Sequence, residues 1–132
     1  MLAPAGCGSA TPAPTPEPAT FSAVYTELFP RQTKAQCNFC HSLPENDISN
    51  GKLSMGSDKA TAYAALVGKA STSSKCGGRA HVVPGKPDES LLVLKLSENP
   101  VCGSRMPLGG VLLTDAQREM VRSWILAGAK DN

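Results

Sequence analysis

Apolar residues recur at helical spacing in several stretches of this chain, and the residues between those stretches mark where each one stops. Phe21, Val24, Tyr25 and Leu28 fall at i, i+3, i+4 and i+7. That spacing predicts one face of a helix over 21–29, which Thr20 can cap and Pro30 ends or kinks. A second helix is predicted over 58–67, with Ala62, Tyr63, Leu66 and Val67 inward and Gly68 as its stop. Pro87 suits the first position of a helix over 88–96, and Asp88 and Glu89 then sit at its positive end. The last pattern is the clearest. Thr114-Asp115-Ala116-Gln117 is a capping box, Met120, Val121, Trp124 and Ile125 form the apolar stripe, and Gly128 supplies the stop.

Between the helices, residues 34–41 read as a short turn. Residues 43–57 read as loop, because Pro44, Asn46, Asp47, Asn50 and Gly51 compete with regular structure. Glycine and serine dominate 68–80, and no stretch makes a convincing strand. The expected fold class is all-α, a bundle of about four helices joined by long loops.

Residues 1–19 alternate proline with small residues, a composition that cannot bury apolar surface and favours an extended chain. They are expected to be a tether, with 20–132 as the folded domain. Ala5-Gly6-Cys7 resembles the end of a bacterial lipobox, which makes Cys7 a candidate for lipidation; Pro4 departs from that pattern, and the alternative is an incidental cysteine.

At 132 residues the chain has room for one domain and a tail. Aromatics are 5% of residues, thin for a core, so a buried apolar cofactor would suit the composition. A formal net charge of +2 gives no argument for a nucleic-acid partner. No run is long and apolar enough to span a bilayer, so a membrane link would run through the lipid anchor alone.

The chemistry concentrates in Cys37-Asn38-Phe39-Cys40-His41. Two thiols three positions apart can each add to a vinyl group on one porphyrin edge, and the adjoining imidazole can reach the iron. The C-x-x-C-H pattern reads as c-type haem attachment. A zinc site would need a second ligand pair, and the remaining cysteines, Cys7, Cys76 and Cys102, stand singly. A thioredoxin-like redox pair would need alternating strands. Cys76 and Cys102 lie in similar glycine settings and are expected to pair in an oxidising compartment; two free thiols are the alternative.

Cys37, Cys40, His41 and the Met106-Pro107 dipeptide, followed by an amphipathic helix, stand in the order of the class I c-type cytochromes, which residues 20–130 resemble. Tyr63-Ala64-Ala65-Leu66-Val67-Gly68, the stretch from Val83 to Leu92 and Trp124-Ile125-Leu126-Ala127-Gly128-Ala129 resemble the small cytochrome domains of planctomycete and myxobacterial proteins, often lipoproteins. The resemblance implies a cytochrome c-like bundle around one covalent haem c, with His41 proximal and Met106 distal. His81 and Met55 are the rival distal ligands, while Met120 lies on a helix stripe and reads as core. One departure stands out. The family keeps a proline roughly a dozen residues after the proximal histidine, whose carbonyl orients the imidazole. Leu53 occupies that region here, and the nearest proline is Pro44.

Softer candidates surround this set. Trp124 and Tyr25 are expected to pack where the first and last helices cross. Arg79 and Arg105 can neutralise haem propionates or simply face solvent. Lysines 34, 52, 59 and 69 can form a docking patch or only keep the protein soluble.

A Met/His pair saturates the iron, which suits moving electrons and not substrate chemistry. The expectation is therefore a monomeric, periplasmic or otherwise extracytoplasmic electron carrier, not an enzyme, serving redox proteins of a respiratory or periplasmic chain. The alternatives are a haem enzyme or gas sensor with an open distal site, and a haem domain of a larger oxidoreductase.

Overall fold

The computed structural model describes residue 8, residues 11–42 and residues 53–132; Cys7, Pro44 and Lys52 lie outside them. Among the described residues the protein is all-α, with five α-helices and no strand. These are α1 (Phe21–Leu28), α2 (Cys37–His41), α3 (Lys59–Leu66), α4 (Leu91–Lys95) and α5 (Asp115–Leu126). None is long and apolar enough to cross a membrane. Residues 11–18 are exposed and carry no regular structure.

Each long helix starts where its cap chemistry allows. Thr20 Oγ1 accepts from Ala23 N at 3.1 Å to open α1, and an Asp58 carboxylate oxygen accepts from Thr61 N at 2.9 Å to open α3. Thr114 and Gln117 form a reciprocal capping box on α5. The predicted stops also hold: Gly68 and Gly128 take the positive φ values of 74° and 108° that a side chain would resist.

The helix expected over 88–96 is broken in two. Pro87–Glu89 make one 3-10 turn, Ser90 is extended, and α4 begins at Leu91. Tertiary bonds cause the break. Leu91 N and Leu92 N donate to the carbonyls of Ala80 and His81, both at 2.9 Å, so the amides that would continue a helix are already committed elsewhere. The fully buried Ser90 hydroxyl donates to Lys86 O at 2.9 Å and accepts from Val83 N at 2.8 Å, fixing the bend. Residues 67–82 add two isolated bridges, Val67 with Val82 and Ala70 with Ala80.

The core forms where α1, α3 and α5 meet. Phe21 lies 4.8 Å from Trp124 and 5.3 Å from Tyr63, centroid to centroid. Tyr25 stacks instead on Phe21 and Phe29, so only Phe21 carries the aromatic contact between α1 and α5 expected of Trp124 and Tyr25 together. Burying rings of this size is the largest single apolar gain open to a chain so poor in aromatics.

The termini of the domain close on each other. Phe21 N and Ser22 N donate to Asn132, and Lys59 Nζ bonds Ser22 Oγ at 2.8 Å and pairs with Asp131 at 3.5 Å.

Candidate functional site

Local side-chain chemistry sets α2 in place. Thr33 Oγ1 donates toward Pro30 O and Leu28 O at the end of α1, and it accepts from Gln36 N at 3.0 Å. Gln36 then adopts a left-handed conformation, with φ at 47°, and turns the chain into Cys37. Asn38 N donates to Phe29 O at 2.9 Å, docking the first turn of α2 on the end of α1. The expected turn over 34–41 is thus a turn followed by a short helix.

Cys37, Cys40 and His41 share that one helical turn, and the two thiols are not joined to each other. Both are half-buried. Burial, with Cys40 adding to it, pushes the Cys37 thiol up to about 12, against the lowering effect of a backbone hydrogen bond. A thiol held protonated is a poor redox nucleophile, the opposite of what a thioredoxin-like pair requires. Phe39, on the same turn, is 58% exposed, with the Arg31 guanidinium 5.5 Å over its ring. Asn38 is buried between the cysteines; its amide nitrogen donates to Tyr25 OH at 3.2 Å, and its Oδ1 has no partner among the described residues.

The Leu53 backbone reaches the ring of His41. Its carbonyl lies 2.8 Å from His41 Nδ1, an arrangement that puts the ring proton on Nδ1 and leaves the Nε2 lone pair available to a metal. Two residues on, Met55 N donates to His41 O at 2.6 Å. The backbone of 53–55 therefore brackets the histidine from one side. An orienting carbonyl does not require proline, which is why the sequence, with Leu53 at that offset, left the group that orients His41 unassigned.

Met106 is half-buried against the same core that Cys37 and Leu53 border. Its amide donates to Lys95 O at 2.8 Å, and its bond to Pro107 is cis. The Met106 segment is thus tied to α4. Just before it, Cys102 is bonded to Cys76, with an S–S distance of 2.08 Å and Cα atoms 5.5 Å apart. Lys95 Nζ donates to Cys102 O at 3.0 Å, and burial, then the like charge of Lys75, lowers the Lys95 pKa. Beyond Met106, Leu108 and Val111 are 70% and 64% exposed.

The rival ligands have other work. Met55 is buried in the core, and its amide bond to the His41 carbonyl places its backbone beside the Leu53 bracket. His81 is buried too: its Nδ1 lies 3.1 Å from Ala65 O, its amide donates to Lys69 O, and its carbonyl receives Leu92 N. It ties α3, the 80–82 segment and α4 together. Met120 packs half-buried on the core. Arg79 is exposed and Arg105 half-buried. Of the four lysines, Lys34 and Lys69 are exposed, Lys59 is engaged with the C-terminal residues, and Lys52 is outside the described residues. An open groove of about 160 Å³ lies elsewhere, lined by Val93, Leu96 and Val121 with Arg118 and Arg122.

No protein-family model, curated protein or solved structure matches the chain.

Proposed function

We propose that this protein is a one-electron carrier with a single covalently attached c-type haem, folded as a cytochrome c-like bundle. The observation that carries the reading is the contact of His41, the last residue of C-x-x-C-H, with the Leu53 carbonyl. Two unpaired thiols and an imidazole share one turn, and the imidazole is already held through Nδ1 by a backbone carbonyl at 2.8 Å. The residues fit the group: Cys37 and Cys40 would anchor it, His41 Nε2 would ligate its iron, and Met106 is the best candidate for the other axial position.

The reversible one-electron couple would come from the haem iron; the protein's part is to bind, orient and shield it. The Leu53 carbonyl keeps the His41 ring from rotating and raises its basicity as a ligand. The turn chemistry of Thr33 and Gln36 fixes the two thiols relative to that ring. Thioether ligation at Met106 would favour the reduced state relative to a second histidine and leave no open position for a substrate.

A disulfide joining Cys76 and Cys102 supports an extracytoplasmic setting, where such bonds persist. The exposed, irregular residues 11–18 suit a tether ahead of the domain, with lipidation at Cys7 as its proposed anchor and redox proteins as partners.

The test uses the full chain made with c-type maturation machinery. Pigment should stay with the polypeptide through acid–acetone extraction and be lost in the Cys37→Ala/Cys40→Ala variant. The ferric protein should show a weak far-red sulfur-to-iron band that Met106→Ala abolishes while admitting carbon monoxide to the ferrous form. Extractable haem would sink the attachment. A wild type that lacks the band and binds carbon monoxide freely would move the sensor or enzyme reading ahead.

A further inference from the structure

We infer that Lys95 is a positioning residue for Met106, holding residues 102–106 at both ends. The inference rests on the proposed ligand role of Met106. Its geometry stands independently. Lys95 is the last residue of α4. Its carbonyl accepts from Met106 N at 2.8 Å, and its ammonium reaches back to Cys102 O at 3.0 Å. One residue therefore closes a short loop through its main chain on one side and its side chain on the other.

The loop is built to admit that ammonium. Gly103 follows the gripped carbonyl with φ at 62°, and a Cβ there would stand 2.8 Å from Lys95 Nζ and 3.6 Å from Cys76 Sγ. Any side chain at 103 would displace the lysine or strain the backbone. Lys95 pairs with no carboxylate among the described residues, so no ion pair competes with its bond to Cys102. A charged donor on a backbone carbonyl makes a stronger bond than a neutral one.

The grip is referenced to the rest of the fold. The first amides of α4 are bonded to Ala80 and His81, and Cys102 is joined to Cys76 in the chain leading to Ala80. The disulfide holds Cys102 to the 68–80 segment, α4 is registered on the end of that segment, and Lys95 closes the circuit. Met106 leaves from its final link, so losing the Lys95 ammonium loosens the loop that carries the methionine while the ring contacts among α1, α3 and α5 stay in place.

The experiment compares wild type with Lys95→Leu, Lys95→Arg and Gly103→Ala, all as haem-loaded full chains. The readouts are amide hydrogen exchange at Met106, exchange at Trp124 as a core control, and the ferric far-red band. Lys95→Leu should speed Met106 exchange roughly tenfold or more and weaken the band, with Trp124 exchange unchanged. Lys95→Arg, which keeps a charged donor, should recover most of both. Gly103→Ala, which retains the lysine but crowds it, should behave like Lys95→Leu and covers the case in which that variant folds poorly. Wild-type Met106 exchange in both Lys95→Leu and Gly103→Ala would overturn the inference. A wild type without the band would refute Met106 as ligand, and Met106 exchange would then decide the role of Lys95 by itself.

Discussion

Around Phe21, Tyr63 and Trp124 the molecule is held ring against ring, whereas between Gly68 and Met106 it is held largely through backbone carbonyls, the buried hydroxyls of Ser71 and Ser90 and a disulfide. The first region is assembled from three capped helices, each contributing a buried face. In the second, α4 is only five residues long, and around it lie one 3-10 turn, two isolated bridges and irregular chain. Val82 and Leu96 do join the common core, but the segments bearing them are fixed by bonds such as Leu92 N to His81 O. Apolar packing is non-directional and forgiving of small shifts; a hydrogen-bonded circuit sets positions within tenths of an ångström. Met106 sits in the second kind of structure, and the C-x-x-C-H turn is docked on the first.

The comparison breaks most directly at Trp124. The ring is 1% exposed, faces Phe21 and Tyr63, and donates its indole N–H to Lys130 O at 2.9 Å. Trp124→Ala leaves a cavity in the centre and strands that carbonyl, at an expected cost of about 3–5 kcal/mol. Because small domains have roughly 5–15 kcal/mol in hand, much of the fold's stability goes with it. Urea unfolding of the full chain measures the loss. A cost below about 1 kcal/mol would mean the aromatic cluster does not carry the fold.

The second region should respond more mildly and more locally. The Cys76–Cys102 bond closes a loop with a sequence separation of 26. Loop-closure entropy gives such a cross-link about 3–4 kcal/mol, reduced where the reduced chain keeps structure. Cys76→Ser/Cys102→Ser should therefore lower the urea midpoint by somewhat less than Trp124→Ala does. It should also speed amide exchange across the 68–106 segment before it affects α1 and α5. Uniform acceleration over all five helices would show that the two regions unfold as one unit.

The same divide explains what the sequence disclosed. Phe21, Val24 and Leu28, or Val121, Trp124 and Ile125, announce a buried face by their spacing alone, and their caps and glycine stops are local. The C-x-x-C-H turn was legible as a candidate site because cysteine and histidine side chains stand in the sequence itself. Backbone roles left no such mark. Leu53 orients His41 with its carbonyl, which any residue can supply, so the residue type at 53 did not reveal the contact. The break at Ser90 depends on acceptors at Ala80 and His81, invisible to a local helix pattern. Lys59 reads in sequence as a cation that either docks a partner or keeps the protein soluble, whereas its partners Ser22 and Asp131 lie far away in the chain. Lys95 joined the site only through two bonds that folding brings together.

The smallest expected effect separates two caps within the packed region. Asp58 opens α3 and Thr114 opens α5, each accepting from the amide three residues on. Asp58 also accepts from Thr61 Oγ1 at 2.8 Å. The bond from Thr61 N, followed by that from its hydroxyl, holds the Asp58 carboxyl below its ordinary value of 3.8. A lowered folded value means the ionised form is favoured by folding. Its contribution is present above the ordinary carboxylate range and is lost as pH falls through the lowered value. Thr114 does not titrate there, so Thr114→Ala should cost about 1 kcal/mol at neutral and acid pH alike. Asp58→Asn should instead lie below wild type at neutral pH, with the gap in urea midpoint narrowing as the solution is made acidic. Two midpoint curves that run parallel from neutral pH to below 3.8 would show that the charge on Asp58 contributes nothing to capping α3.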